Sequence, residues 1–133
     1  MAETRLAVLD TSAVITPLQD YSPYADLVCL SAVTIGELAF GLHAAADPLE
    51  SAARERRYRD ILTAFTPIAY DAEIAHEYGA IAAAVRSMGR NPRARTADLM
   101  IAATARHLDA ALLTRNPADF AGLDGIVTVV DVT

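Results

Sequence analysis

Four acidic residues carry the chemistry this chain could perform: Asp10, Glu37, Asp98 and Asp119. They lie in the segments "AVLDTSAVI", "SAVTIGELAFG", "RTADLMIAATA" and "LLTRNPADF". Taken singly, each fits a local structural role. Asp10 follows an apolar run and can cap the turn through Thr11 and Ser12. Glu37 lies three residues after Thr34, the spacing of a capping box. Asp98 falls in the first turn of a helix opened by Thr96, where the helix dipole favours an acid. Asn116-Pro117-Ala118-Asp119 is a second capping pattern, with Pro at the first helical position.

The elements that position these acids change their meaning as a set. Leu6–Leu9 and Leu27–Leu30 are apolar throughout, as buried parallel strands are. Thr66–Ala69 is a brief third strand, Ala110–Thr114 a fourth and Ile126–Val130 a last one. Helices are predicted over Ser12–Leu18, Thr34–Ala46, the arginine-rich stretch from Pro48 to Phe65, Asp71–Met88 and Thr96–His107. "QDYSPY" and "GRNPRAR" are loops by composition. Strands alternating with helices imply an α/β fold with a parallel sheet covered on both faces. Sites in such folds lie beyond the carboxyl ends of the strands. Asp10 and Asp119 follow strands, and Glu37 and Asp98 open helices, so all four converge on that edge. Four carboxylates cannot all stay ionised together without a cation. Hard oxygen ligands suit Mg²⁺ or Mn²⁺ rather than zinc. An ion of this kind keeps waters, and one of these can attack a phosphodiester. Capping in the absence of metal does not conflict with ligation in its presence.

Bulk properties narrow the field. With 133 residues, 53% hydrophobic and 21% charged, the chain is read as one domain with a substantial core. No apolar stretch reaches membrane-spanning length and no secretory signal is visible, so a cytoplasmic location is expected. Cys29, the only cysteine, sits in "LVCL" as a small core residue, which excludes disulfide scaffolding and a cysteine zinc site. All 11 basic residues are arginine. The absence of lysine excludes a Walker A phosphate loop and Schiff-base chemistry.

The segments "AVLDTSAVI", "SAVTIGELAFG" and "RTADLMIAATARHLDAALLTRNPADFAGL" together resemble the PIN-domain ribonucleases, in particular the VapC-like toxins of type II (VapBC) toxin–antitoxin pairs. The likeness runs from residue 6 to the last strand. It implies a single PIN domain over residues 1–133, a three-layer α/β/α arrangement around a short, mainly parallel sheet. It also implies a metal-dependent endoribonuclease whose acids Asp10, Glu37, Asp98 and Asp119 hold Mg²⁺ or Mn²⁺. Small polar residues support such sites, and Thr11, Ser12, Thr114 and Asn116 match those places. The implied substrate is tRNA or ribosomal RNA. The implied partner is a VapB-like antitoxin that sends a basic residue to the acids, and the usual state is a homodimer within a larger toxin–antitoxin assembly.

The net charge of −6 leaves RNA binding to the arginines. Arg90, Arg93 and Arg95, just before Asp98, and Arg115 are placed to grip the RNA backbone. Arg54, Arg56, Arg57 and Arg59 read instead as a solvated helix face paired with Glu50, Glu55 and Asp60. His43, His76 and His107 fall on three different helices and receive no catalytic part. Tyr21 and Tyr24 could stack a base or serve packing. Two other classes were weighed. An aspartyl-phosphate protein would want a lysine and, in one common form, a second acid where Ser12 stands. A pure binding module would have no reason to keep four mutually repelling acids.

Overall fold

The structure, a computed structural model, describes residues 3–133. Its centre is the strand β1 (Leu6–Leu9), in which Ala7 and Val8 are fully buried and Leu9 is nearly so. On one side β1 pairs with β2 (Leu27–Leu30), and on the other with β3 (Ala111–Thr114), which carries β4 (Val129–Asp131) at the far edge. The order is β2-β1-β3-β4 and every pairing is parallel. A strand lined by neighbours and covered on both faces has no polar side to keep, which is why "LAVL" and "ALLT" lack polar-apolar alternation.

Five helices complete the layers: α1 (Thr11–Ile15), α2 (Ala32–His43), α3 (Pro48–Ala64), α4 (Ala72–Ser87) and α5 (Thr96–His107). Val8 and Leu112 point to one face of the sheet. There they join Ile74, Ile81 and Val85 of α4 with Leu99 and Ile101 of α5. Ala7, Leu9 and Leu113 point to the other face, where Val14 of α1, Leu38 of α2 and Ile61 of α3 cover them. The result is the layered α/β arrangement read from the sequence. Among the described residues no helix is long and apolar enough to cross a membrane.

Several elements differ from expectation. The strand expected over Thr66–Ala69 is reduced to a single parallel bridge between Ser31 and Ile68. Ile68 accepts from the Ala32 N–H and donates to the Leu30 carbonyl, and the pairing goes no further. The last strand, expected from Ile126, begins at Val129, because Ile126 and Val127 both donate to the Leu123 carbonyl in a turn. That turn contains Gly125 at φ +81°, and Gly122 just before it, at φ +90°, stands where a Cβ would force the Met88 side chain to shift. α1 stops at Ile15, short of the expected Leu18, since Pro17 turns Thr16 away from helical geometry.

Leu112 is fully buried between the sheet and the α4–α5 layer. Leu112→Ala should lower the unfolding free energy by about 2–5 kcal/mol in urea denaturation, through lost burial and the cavity left behind.

Candidate active site

Asp10 leaves the carboxyl end of β1 and is 4% exposed. Both carboxylate oxygens are satisfied. Oδ1 accepts the Ser12 hydroxyl at 2.6 Å and the Ala13 N–H at 2.9 Å, and Oδ2 accepts the Thr114 hydroxyl at 2.5 Å. The bond from Ala13 makes Asp10 the N-cap of α1, so the capping role and the place at the sheet edge coexist. The supporting hydroxyls are themselves anchored. Ser12 Oγ accepts the Arg115 N–H at 3.0 Å, and Thr114 Oγ1 accepts the Asn116 N–H at 2.9 Å. Thr114 is fully buried. Asn116 gives this backbone N–H, and its carbonyl accepts the Asp119 N–H at 3.0 Å; its side chain makes no cap bond, so the expected capping role there is not realised. Asp119 instead sits in a single 3-10 turn, Pro117–Phe120.

Glu37 is also placed differently from the local expectation. α2 begins at Ala32, and Ser31 caps it by accepting the Val33 N–H at 3.0 Å. Thr34 is therefore inside the helix, and the Thr34–Glu37 capping box does not form. Freed from the helix start, Glu37 Oε1 accepts the Thr11 hydroxyl at 2.5 Å, and Thr11 Oγ1 lies 3.2 Å from Thr34 Oγ1. Thr11, the first residue of α1, thus ties Glu37 to the end of β1. Ser31 was legible as a cap only from its position before an apolar helix, a signal outweighed by the Thr-x-x-Glu spacing.

Asp98, in the first turn of α5, has its pKa pushed up to about 6. Burial is the largest cause, followed by the negative charges of Asp119 and Glu37; Arg95 opposes them, and Asp10 adds a smaller upward push. The four acids thus share one electrostatic neighbourhood. The helix-dipole explanation alone would lower this carboxyl's pKa, so repulsion and desolvation dominate. As they stand, no three acids among the described residues converge on one ion-sized point. A cation is present nonetheless: Arg95 Nη1 is 2.9 Å from Asp119 Oδ1 and 3.9 Å from Asp98 Oδ2.

The arginines divide. Arg95, half-exposed, also reaches the acids with its guanidinium; its spacing of three before Asp98 was the available signal. Arg115 Nε donates to the Thr16 carbonyl at 2.5 Å. Arg90 and Arg93 are exposed on the rim. On α3, Arg59 pairs with Glu55 on the exposed face, Arg54 pairs with Glu50 and also donates to the Gly41 carbonyl, and Asp60 is in no ion pair among the described residues. His43, His76 and His107 are exposed on α2, α4 and α5, with His107 lying 3.5 Å from Glu73. Tyr21 accepts the Leu18 N–H and packs under α1, a structural role.

With this geometry in place, the relationship to known proteins is clear. The PIN domain profile matches residues 7–125, and the chain belongs to the PIN domain family. Within that family its likeness is to proteins of toxin–antitoxin systems. A chain in the crystal structure of VapBC-5, of the VapBC family, from Mycobacterium tuberculosis is 31% identical, with a TM-score of 0.80, covering 96% of this chain and 97% of that one. A chain of FitAcB from Neisseria gonorrhoeae is 27% identical with a TM-score of 0.73, covering 94% and 96%. A toxin–antitoxin complex from Klebsiella pneumoniae contains a chain 25% identical with a TM-score of 0.62, covering 93% and 95%. Comparison with curated proteins returns no match. The protein is a VapC-like PIN-domain protein.

Two outcomes follow from this electrostatic arrangement. An aspartate titrates near 4 when unfolded and Asp98 near 6 when folded. Between those values the folded state holds a proton that the unfolded chain has lost. The contribution of Asp98 to stability therefore falls as pH rises from about 4 to about 6, and stays low above that. In metal-free protein, Asp98→Asn should remove this part of the slope and raise stability at pH 7.5 by about 1–2 kcal/mol relative to its effect at pH 4, read from urea denaturation. Thr114→Val keeps the shape but removes a donor from a buried carboxylate, and should cost about 1–3 kcal/mol by the same measurement.

Proposed function

We propose that this protein is the toxin of a VapBC-type pair, an endoribonuclease that uses Mg²⁺ or Mn²⁺ and is restrained by a VapB-like antitoxin. The observation that carries this is Asp98, held near pKa 6 by burial and by the charges of Asp119, Glu37 and Asp10. A cluster that repels itself this strongly at the carboxyl edge of a parallel sheet is matched to a hard divalent cation.

In this reading Asp10 and Asp98 hold the ion, with Glu37 and Asp119 completing the oxygen donors directly or through water. When bound, the ion supplies water activation and neutralises charge building on the scissile RNA phosphate. The chain's own residues do the positioning. Ser12, Thr114 and the Ala13 N–H fix the Asp10 carboxylate in one orientation. Thr11 aims Glu37 at the same edge from across the helix pair. Arg90 and Arg93 on the rim, with Arg115, meet the RNA backbone through charge-assisted hydrogen bonds. The substrate class is tRNA or ribosomal RNA, the location is cytoplasmic, and residues 1–133 form a single domain. The VapBC, FitAcB and Klebsiella neighbours support an antitoxin partner, whose basic residue would answer the acid cluster. A homodimer joined to antitoxin in a larger assembly fits this reading. An aspartyl-phosphate reaction at Asp10 has little support, since the chain has no lysine and Ser12 stands where one common form has a second acid.

RNA cleavage by the purified, antitoxin-free protein should require Mg²⁺ or Mn²⁺ and stop on chelation. Asp10→Asn, Asp98→Asn and Asp119→Asn should each lower the cleavage rate by about a hundredfold or more while circular dichroism stays unchanged. Cleavage that survives both chelation and Asp10→Asn would refute the mechanism.

A further inference from the structure

Arg95 ends the 3-10 turn Pro92–Arg95 and directly precedes α5. Unlike Arg90 and Arg93 it leans over the acids, contacting Asp119 at 2.9 Å and approaching Asp98 at 3.9 Å. These two acids belong to different elements, α5 and the turn after β3, and Arg95 is the only basic residue in an ion pair with either among the described residues. The Arg95 side chain is 51% exposed, so the contact is reversible rather than built into the core. Beside it lies an open hollow of roughly 190 Å³, lined in part by Arg90, Asn91, Ala94 and Asp119, which leaves the guanidinium room to turn away.

We propose that Arg95 is the resident counter-ion of the metal-free acid cluster and a positioning residue that a divalent cation must displace on entry. This rests on the metal-dependent reading above. A guanidinium and a divalent ion compete for the same lone pairs of Asp119 and the same space in front of Asp98. The arginine therefore does two opposed things. It lowers the repulsion among the acids when no metal is present, and it weakens the apparent affinity for metal by the strength of its own contacts. The pair is half-exposed, so that penalty is modest, roughly three- to tenfold in affinity. It also accounts for the absence of a ready-made three-acid cage: part of the cluster is already turned toward a cation of the wrong shape.

Calorimetric titration of Mn²⁺ into metal-free protein tests this with wild type, R95Q and R93Q. R95Q should bind Mn²⁺ about three- to tenfold more tightly than wild type, and R93Q, on the same turn, should stay within twofold. Equal affinity in wild type and R95Q overturns the role of Arg95 while leaving the metal site intact. An equal gain in R93Q also overturns it, in favour of diffuse charge. If neither wild type nor R95Q binds Mn²⁺ at millimolar concentration, this inference and the metal-dependent reading both fall. The melting temperature of the metal-free protein gives a second readout. R95Q should lower it in the wild-type background and have little effect once Asp119→Asn is present. A fall of equal size in both backgrounds overturns the pairing.

Discussion

An ionised carboxylate removed from water must be met by donors on every side, and Asp10 imposes that requirement on the whole carboxyl edge of the sheet. Its donors come from two places far apart in the chain: the first turn of α1 and the last residue of β3. Each hydroxyl donor is in turn an acceptor, Ser12 from Arg115 and Thr114 from Asn116. The hydrogen-bonded chain therefore stitches α1, β1, β3 and the turn that carries Asp119 into one piece. Thr11 extends it to Glu37 on α2. The carboxylates of Asp98 and Asp119 lie outside this network, and Arg95 faces both.

That difference separates two kinds of acid. Asp10 is buried but fully solvated by protein donors, so its charge is accommodated locally. Asp98 has no comparable donor set, and burial with three acidic neighbours pushes it toward neutrality. The fold thus stores electrostatic strain at Asp98. A cation relieves it, whether the guanidinium of Arg95 or a divalent ion, and in both cases the cluster is less stable alone than in company. Sites that tolerate such repulsion trade folding stability for function.

Much of this was legible from residue order. The apolar runs "LAVL" and "ALLT" announce buried parallel strands, and parallel strands place Asp10 and Asp119 on one edge whatever the details of the loops. What escaped was decided by contacts distant in sequence or by single backbone atoms. Residues 66–69 make one bridge, through Ile68, to a segment more than thirty residues earlier rather than a full strand. Ser31 outcompetes Thr34 for the start of α2, which releases Glu37 from the helix end to meet Thr11. Arg95 reads as a loop arginine in "GRNPRAR"; only the folded turn swings it from solvent to Asp119. Composition could say that every cation is a guanidinium, but not which one faces the acids.

The placement of β1 has a consequence in time. The Thr114 hydroxyl that completes Asp10 lies 104 positions later in the chain, on the strand that must slot in beside β1. A nascent chain emerging from the ribosome amino-terminus first carries Asp10 long before it carries the means to bury it. Until β3 is available, β1 lacks a neighbour on one side and the four acids have no common edge on which to meet. The acid cluster therefore comes together only once β3 has joined β1.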